Sequence, residues 1–277
     1  MEKIFDGLEE FGMGAVASSS VLFAKEDAAP KEDTKQANKP PSIEDFIYTK
    51  SFNCPVCGLN FPSHVLKESK LHVQNIDFDL RPIYKFIEPL FYDILMCEHC
   101  GYSAVKNFFH GHLSSHHIEK IITEISPSFK PFPYPKEPDI DLAIKRYKMA
   151  LLNAVVKKGR DGEKGYLCMK LTWLYRLKLT DIENEKKFAK LAVEGFSKAL
   201  AKEIPPIMGL QESTLLYLLA AFSLFLEDFE YSMRILSEMT VSKRVSQRLK
   251  NRAADLKETA ALSIKEGMFI APPLRQA

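Results

Sequence analysis

Apolar residues in the C-terminal half of the chain recur every three to four positions, which is the spacing of an amphipathic α-helix. The pattern runs from about residue 138 to residue 267 and is divided by turn-forming residues. Asp139 can cap the first helix, and Pro205-Pro206 separates the third helix from the fourth. The sequence therefore predicts helices at about 141–157, 163–178, 183–202, 212–226, 229–240 and 243–266.

One arrangement of side-chain sizes occurs three times within these helices. A small or medium-sized residue is followed by a larger residue four positions later, and by another small or medium-sized residue three positions after that. The occurrences are Ala143…Tyr147…Ala150, Ala192…Phe196…Ala199 and Ser232…Leu236…Met239. This spacing resembles the tetratricopeptide repeat, in which small residues let paired helices approach closely. It favours tetratricopeptide-like helical hairpins over residues 136–277, with another α-helical bundle of the same core spacing as the alternative.

The N-terminal half has a different pattern. Residues 47–135 are rich in aromatic residues and proline, and the best strand candidates are Leu71–Val73 and Phe91–Met96. Residues 1–24 have the spacing of a short amphipathic helix, and Lys25–Ser42 is a charged linker containing proline. We expect an α+β chain with three regions: an N-terminal helix and disordered linker (1–46), a zinc-ribbon-like β module (47–135) and the all-α domain (136–277).

Four of the five cysteines form two Cys-x-x-Cys pairs, Cys54/Cys57 and Cys97/Cys100, and a glycine follows each pair. The spacing lets both sulfurs of a pair turn toward one ion, and the glycine tolerates the positive φ that this turn needs. In a reducing compartment such pairs are metal ligands rather than disulfides. Four sulfurs complete a tetrahedral shell, so we expect one structural Zn²⁺ with no open position.

A single iron ion, held as in rubredoxin, is the alternative for the same four sulfurs. The 39 residues between Cys57 and Cys97 exceed the spacing of a compact ribbon, so they must form a hairpin or small sheet of their own. Cys97→Ser is expected to unfold this module and to leave the helical half largely intact. The fifth cysteine, Cys168, lies in an apolar helical stretch and is expected to be a buried, inert thiol.

Two further groups of side chains could carry chemistry. The histidines of the stretch FHGHLSSHH could form a second metal site, but no Asp, Glu or Cys precedes Glu119 there, so we interpret the stretch as a solvated loop or helix start. Its members are His110, His112, His116 and His117. The last predicted helix is basic and could bind nucleic acid or cap the helical stack with a polar face. Its cations are Lys243, Arg244, Arg248, Lys250, Arg252 and Lys257.

The remaining candidates have structural interpretations. Trp173 and Tyr175 are expected to pack between helices, with a peptide anchor as the alternative. Asp77 and Asp79 alternate near a strand or turn without a nearby nucleophile, so we interpret them as turn or supporting groups. No phosphate-binding loop, dinucleotide fingerprint or zinc-protease helix occurs in the sequence. We therefore expect a protein that is not an enzyme.

Composition and charge further restrict the structural class of the protein and its expected location. The chain is 46% hydrophobic and 27% charged with net charge +2, which excludes collagen-like, wholly disordered and disulfide-dense proteins. The longest strongly apolar run, Thr214–Leu226, is shorter than the roughly 20 residues that span a membrane, and no secretory signal pattern is present. We expect a cytoplasmic protein. Residues 136–277 hold 25 Lys and Arg against 18 Asp and Glu, so nucleic acid stays a possible but less favoured partner.

The combination of these features resembles a bacterial family of uncharacterised proteins, domain of unknown function 2225, over about residues 47–240. The resemblance rests on FNCPVCG at Phe52–Gly58, Asp77-Phe78-Asp79, Arg81-Pro82, Tyr84, Pro89-Leu90, Tyr92-Asp93, CEHCGYSA at Cys97–Ala104, Ala143–Leu152 and Trp173-Leu174-Tyr175. It implies metal-ligand cysteines and a tetratricopeptide-like tail in a cytoplasmic bacterial protein, and no established activity. The histidine-rich stretch departs from the family pattern, in which acidic residues are usual.

These observations favour an interaction or scaffold protein. A structural Zn²⁺ would fold the small module, and the helical hairpins would offer a groove to a protein or peptide partner. Two alternatives stay open: a rubredoxin-like redox protein, and a nucleic-acid-associated regulator that uses the basic last helix.

Overall fold

The computed structural model describes residues 42–132 and 134–276, so the predicted N-terminal helix and nearly all of the linker lie outside the described residues. The chain is α+β, as the sequence predicted: antiparallel hairpins come first and helices follow. The paired strands are β1 (Ile47–Asn53) with β2 (Asn60–Leu66), β3 (Val73–Ile76) with β4 (Pro82–Tyr84), and β5 (Ile94–Met96) with β6 (Ser103–Val105). A terminal strand, β7 (Arg275–Gln276), pairs with the other edge of β3.

Seven α-helices occur in the described part of the chain. They are α1 (Ser115–Lys120), α2 (Ile140–Val156), α3 (Asp161–Lys178), α4 (Ile182–Lys202), α5 (Glu212–Phe225), α6 (Phe229–Val241) and α7 (Gln247–Glu266). Asp139 accepts a hydrogen bond from the Leu142 N–H at 2.7 Å and begins α2, as predicted. None of the described helices combines the length and apolarity that a membrane span needs.

Three sequence-based boundaries were wrong. Only Val73 of the predicted strand Leu71–Val73 is in a strand, because the Leu71 N–H closes the 3₁₀ turn at Glu68–Lys70 and β3 begins after it. Only Ile94–Met96 of the predicted strand Phe91–Met96 is extended, because Pro89 and the capping Glu88 side chain turn residues 89–92 into a 3₁₀ helix. The last helix begins at Gln247 rather than residue 243, because the Ser246 hydroxyl caps its first turn.

Strands β1 and β2 were not predicted. Most of β1 is exposed, and only Ile47 and Phe52 in it are buried, so its sequence lacks the alternation that signals a strand. Hydrogen bonding to β2 is what holds residues 47–53 in the extended conformation.

The hairpins and the helices share one core. Ile94 and Val105, from the β5–β6 hairpin, pack in the same apolar cluster as Tyr147 and Leu171 of the helices. Each of the helices from α2 to α7 packs against its successor in the chain. The described residues consequently belong to one compact unit.

Helices α3 and α4 approach each other closely. A Cβ atom added to Gly195 would lie 2.6 Å from the Cα atom of Gly165, which is closer than real Cβ contacts. Backbone therefore meets backbone at this crossing, and Phe196 fills the space beside it.

Candidate metal centre

The two Cys-x-x-Cys pairs occupy the tips of two hairpins with the same loop geometry. Residues 54–59 connect β1 to β2, and residues 97–102 connect β5 to β6. The N–H of the first cysteine donates to the last residue of its loop in both cases, Cys54 to Leu59 and Cys97 to Tyr102. Chain pairing on either side of each loop therefore fixes the direction of its sulfurs.

Glycine is required at the same place in both loops. Gly58 and Gly101 have φ of +74° and +75°, in the left-handed region that other residues adopt at a cost. The N–H of each glycine donates to the carbonyl of the first cysteine in its loop. The positive φ that the sequence predicted after each pair is thus present.

The structure brings all four predicted cysteines together. The Sγ atoms of Cys54, Cys57, Cys97 and Cys100 all lie within 4.8 Å of one another. The Sγ–Sγ distance is 3.6 Å between Cys54 and Cys100, and 3.7 Å between Cys57 and Cys97. Two sulfurs at about 2.3 Å from one zinc ion in a tetrahedron are roughly 3.8 Å apart, so the donor set and the spacing fit Zn²⁺.

Contacts among the sulfurs shift the pKa values of Cys97 and Cys100 in opposite directions. Hydrogen bonds from the thiols of Cys100 and Cys54, with the backbone N–H groups of Cys100 and His99, lower the pKa of Cys97 to about 2. The neighbouring sulfurs of Cys54 and Cys97, and then burial, raise the pKa of Cys100. Four thiolates so close together repel one another unless a cation lies between them, and a bound metal ion would supply that charge.

Side chains from several elements satisfy the carbonyls of the second loop. Asn153 of α2 donates to the Gly101 carbonyl at 3.1 Å, and Ser126 donates to the Cys100 carbonyl at 2.9 Å. The Phe129 ring lies against Gly101, where a Cβ atom would come within 2.6 Å of it. His99 contacts the Asn60 carbonyl through Nε2 at 3.1 Å and so joins the second loop to the start of β2. The second loop is therefore held by α2 and by the segment that contains Ser126 and Phe129.

Burial limits what the cluster can do. Cys54, Cys97 and Cys100 are buried and Cys57 is half-buried. Four protein ligands fill a tetrahedral shell and leave no position for a substrate. The arrangement suits a structural ion.

The histidine stretch does not add a second cluster. Within residues 42–132 and 134–276, the four cysteines are the one group of three or more potential ligands close enough to share an ion. His110, His112 and His116 are exposed, and His117, the third residue of α1, is half-buried. Their place in a loop and helix start matches the sequence interpretation.

Cys168, Trp173 and Tyr175 are all buried in α3. Burial raises the pKa of Cys168 to about 12, so the thiol is protonated and unreactive at neutral pH. The Tyr175 ring stacks on Phe188 of α4 with a centroid distance of 5.4 Å. Tyr175 thus packs between helices, whereas Trp173 is buried against the turn between β3 and β4. Both rings are buried, so the alternative of a surface peptide anchor was wrong.

A buried ion cluster joins the turn between β3 and β4 to α3. Asp79 accepts hydrogen bonds from Trp173 Nε1 at 2.9 Å and from Arg176 Nη1 at 2.8 Å. Arg176 also contacts Asp77 and Glu185, at 2.9 and 2.7 Å. Burial raises the pKa of Asp79, and the charge of Arg176 opposes that effect. Asp77 and Asp79 are thus turn residues, as predicted, that bind the hairpin to the helices.

The basic residues near α7 do not all lie on the helix. Lys243 and Arg244 precede it, while Arg248, Lys250, Arg252 and Lys257 belong to it. Arg244, Arg248 and Arg252 line a cavity of about 480 Å³ beside the first residues of α5 and α7.

Sequence reasoning missed two buried polar residues of α2, Arg146 and Asn153, that face the hairpins. They lie seven positions apart, which is two helical turns, so both fall on the face that carries Ala143 and Ala150. Polar residues on an otherwise apolar helix face were the signal available in the sequence.

Residues 47–260 match the sequence profile of the family described as "Uncharacterized protein conserved in bacteria (DUF2225)". The chain belongs to this family. The DUF2225 match includes both cysteine pairs and extends into α7, and it confirms the resemblance found in the sequence. No curated protein and no solved structure matches the chain.

Proposed function

We propose that this DUF2225 protein is a non-enzymatic interaction protein whose fold depends on one structural Zn²⁺ bound by Cys54, Cys57, Cys97 and Cys100. The observation that carries the proposal is the convergence of four sulfurs from the tips of two hairpins that are separate two-stranded sheets. Thiol ligands need a reducing compartment, which supports a cytoplasmic location.

Elemental analysis of the purified full-length protein tests the metal. We expect one zinc per chain and no absorption in the visible range. One iron per chain with visible thiolate-to-iron absorption would replace this proposal with the rubredoxin-like one. Less than half an equivalent of any metal, in protein prepared under reducing conditions, would contradict both.

Exposed apolar residues on α2 and α4 support a partner-binding role. The Nζ atom of Lys148 on α2 lies 6.0 Å from the ring centroid of Phe188 on α4, so a side chain of α2 reaches α4. Leu152 and Val155 on α2 and Leu191 on α4 are exposed. The close α3–α4 crossing and the small residues on the helices are also consistent with tetratricopeptide-like hairpins, which bind peptides on such faces.

Paired substitutions on the full-length protein test this surface. We expect Leu152→Glu with Val155→Glu to remove a partner that copurifies from the native host. Leu262→Glu with Ile264→Glu on α7 is the matched control, because these residues are exposed to a similar degree. Equal recovery of every copurifying protein by both variants would contradict a binding face on α2 and α4.

A second candidate function is nucleic-acid binding. The observation that favours it is the cavity where Arg244, Arg248 and Arg252 come together beside two helix N-termini. Clustered arginines and helix N-termini both attract phosphate groups.

Binding of a DNA duplex and an RNA hairpin at low and moderate salt tests this candidate. We expect Arg244→Ala with Arg248→Ala to abolish any salt-sensitive binding, and Lys187→Ala with Lys190→Ala on α4 to retain it. No binding at low salt would exclude the candidate.

A further inference from the structure

A cavity of about 320 Å³ lies beside the second cysteine loop, between β1, β2 and α2. Met96 and Glu98, which flank Cys97, form part of its wall. Phe129 and Tyr134 contribute aromatic rings, and Arg146 contributes a guanidinium group. Its volume is at the lower end of the range of about 300–1,000 Å³ for small-molecule sites.

Arg146 is a buried cation without a counter-ion. It is 2% exposed, and among residues 42–132 and 134–276 no carboxylate lies within ion-pair distance of it. Its Nη2 donates to the Ile94 carbonyl, and its Cζ lies 3.6 Å from the Tyr134 ring centroid. Its Nε is buried and has no hydrogen-bond partner.

Arg81, which is buried, and Arg176, which is half-buried, differ in this respect. Arg81 and Arg176 both contact carboxylates. Burying a charge is unfavourable unless an opposite charge or a full set of hydrogen bonds compensates it. Arg146 thus retains an unused donor and an unneutralised charge at the wall of a cavity.

Two cations act on the wall of the cavity, and one of them, Lys136, is paired with Glu44 at 3.5 Å. Burial, and then the charges of Lys136 and Arg146, lower the pKa of His64, so both cations act on this wall. Glu98 is the acidic residue of the lining, and its side chain is 52% exposed. Exposed carboxylates are screened by solvent, so Glu98 does not neutralise the buried guanidinium.

We propose that this cavity binds a carboxylate attached to an aromatic body, with the carboxylate accepting a hydrogen bond from Arg146. One buried guanidinium matches the single charge of a carboxylate, and arginine bonds carboxylates through a planar fork of donors. Phe129 and Tyr134 provide apolar walls for the ring. The site goes beyond the proposed function and does not depend on which metal or partner the protein binds.

The carboxylate could come from a small aromatic acid or from a peptide that ends in an aromatic residue. The experiment therefore uses phenylacetate, its neutral isostere phenylacetamide, and the tripeptide Gly-Gly-Phe with a free or amidated C-terminus. Binding to the full-length, metal-loaded protein is measured by ligand-observed NMR titration.

We expect phenylacetate or free Gly-Gly-Phe to bind at least tenfold more tightly than its neutral counterpart. Tighter binding of the tripeptide than of phenylacetate would identify a peptide C-terminus as the source. Equal binding of the charged and neutral forms would overturn the proposal.

Three variants locate the binding. Arg146→Met should weaken the carboxylate probe at least tenfold, whereas Arg234→Met should bind it as the wild type does. Arg234 is a matched control because it also lies over a tyrosine ring, that of Tyr231, but is exposed. Thr49→Trp places a large side chain at an exposed position of the lining and keeps Arg146.

Thr49→Trp keeps the test decisive if Arg146→Met does not fold, because loss of binding in a folded Thr49→Trp protein also locates the probe in the cavity. If Arg146→Met folds, wild-type affinity in both variants would show that the carboxylate binds elsewhere and overturn the proposal. If Arg146→Met does not fold, wild-type affinity in Thr49→Trp alone would overturn it.

Discussion

Asp79 shows how one residue can hold two parts of the molecule together. It is fully buried and lies 97 positions before Arg176 in the sequence, yet the two side chains are 2.8 Å apart. Although burial alone would lower the pKa of Arg176, the charges of Asp79, Asp77 and Glu185 raise it. The cluster is stable because each charge has a partner.

Removing one member should therefore be costly. We expect Asp79→Ala to reduce the free energy of unfolding by about 3–5 kcal/mol, because Arg176 and the Trp173 N–H lose a buried partner. Urea unfolding followed by circular dichroism measures the change.

Glu194→Ala is the control for an exposed ion pair. Glu194 contacts Lys198 at 2.5 Å on the surface of α4, where solvent screens the charges, and we expect stability close to that of the wild type. A similar loss in both variants would contradict the role of burial.

The cysteines allow an equally direct comparison. We expect Cys97→Ser to lose the bound metal, because a hydroxyl is a poor zinc ligand and three thiolates remain. Cys168→Ala removes a buried thiol away from the cluster and should keep one metal ion per chain. Metal content after gel filtration measures both. Full metal content in Cys97→Ser would contradict a four-sulfur site.

At the scale of elements, the crossing of α3 and α4 requires glycine on both helices. Glycine in a helix costs about 1 kcal/mol relative to alanine, so Gly165 and Gly195 have a reason to be there other than helix formation. That reason is the approach of two backbones, which a Cβ atom would prevent.

Gly195→Ala should therefore destabilise the protein despite the better helix propensity of alanine. Overpacking costs about 1–3 kcal/mol, and we expect a net loss of about 1 kcal/mol in the urea unfolding free energy. Glu194→Ala, one position earlier on the same helix, serves again as the control. A gain in stability for Gly195→Ala would show that the helices can separate freely.

At the scale of the whole molecule, the two cysteine hairpins differ in their support. The β5–β6 hairpin packs into the helical core through Ile94 and Val105. The β1–β2 hairpin places Phe52, Phe61 and Val65 in the cluster around the cysteines instead. The first hairpin consequently depends more strongly on a bound ion.

Metal removal should therefore destabilise the β1–β2 hairpin more than the helices. We expect chelation to increase hydrogen exchange over residues 47–66 well before α4 and α5 change, because the helices keep their own core. The same chelator preloaded with zinc is the control. Equal deprotection of the hairpin and the helices would indicate one cooperative unit, and no change would contradict a structural metal.

Elements that are set by interactions between residues close in the sequence were predicted well, and elements that depend on distant residues were not. Helix bounds from α2 to α6 agree with the predictions to within about two residues, because periodicity and capping act between residues three or four apart. The α7 start was missed by four residues because the Ser246 cap, and not the preceding basic residues, decides it. Strand β1 was missed because its identity depends on a partner strand.

The sequence by itself determined the helices and the two cysteine loops with their glycines, since each is encoded within a short stretch. It also determined the family, through motifs spread over residues 47–260. Tertiary structure decided that the four sulfurs meet, that Asp79 reaches Arg176, and that Arg146 is buried beside a cavity without a counter-ion. These contacts join residues that are 40 or more positions apart. Such residues come together only when the hairpins pack on the helices, and no local pattern records that packing.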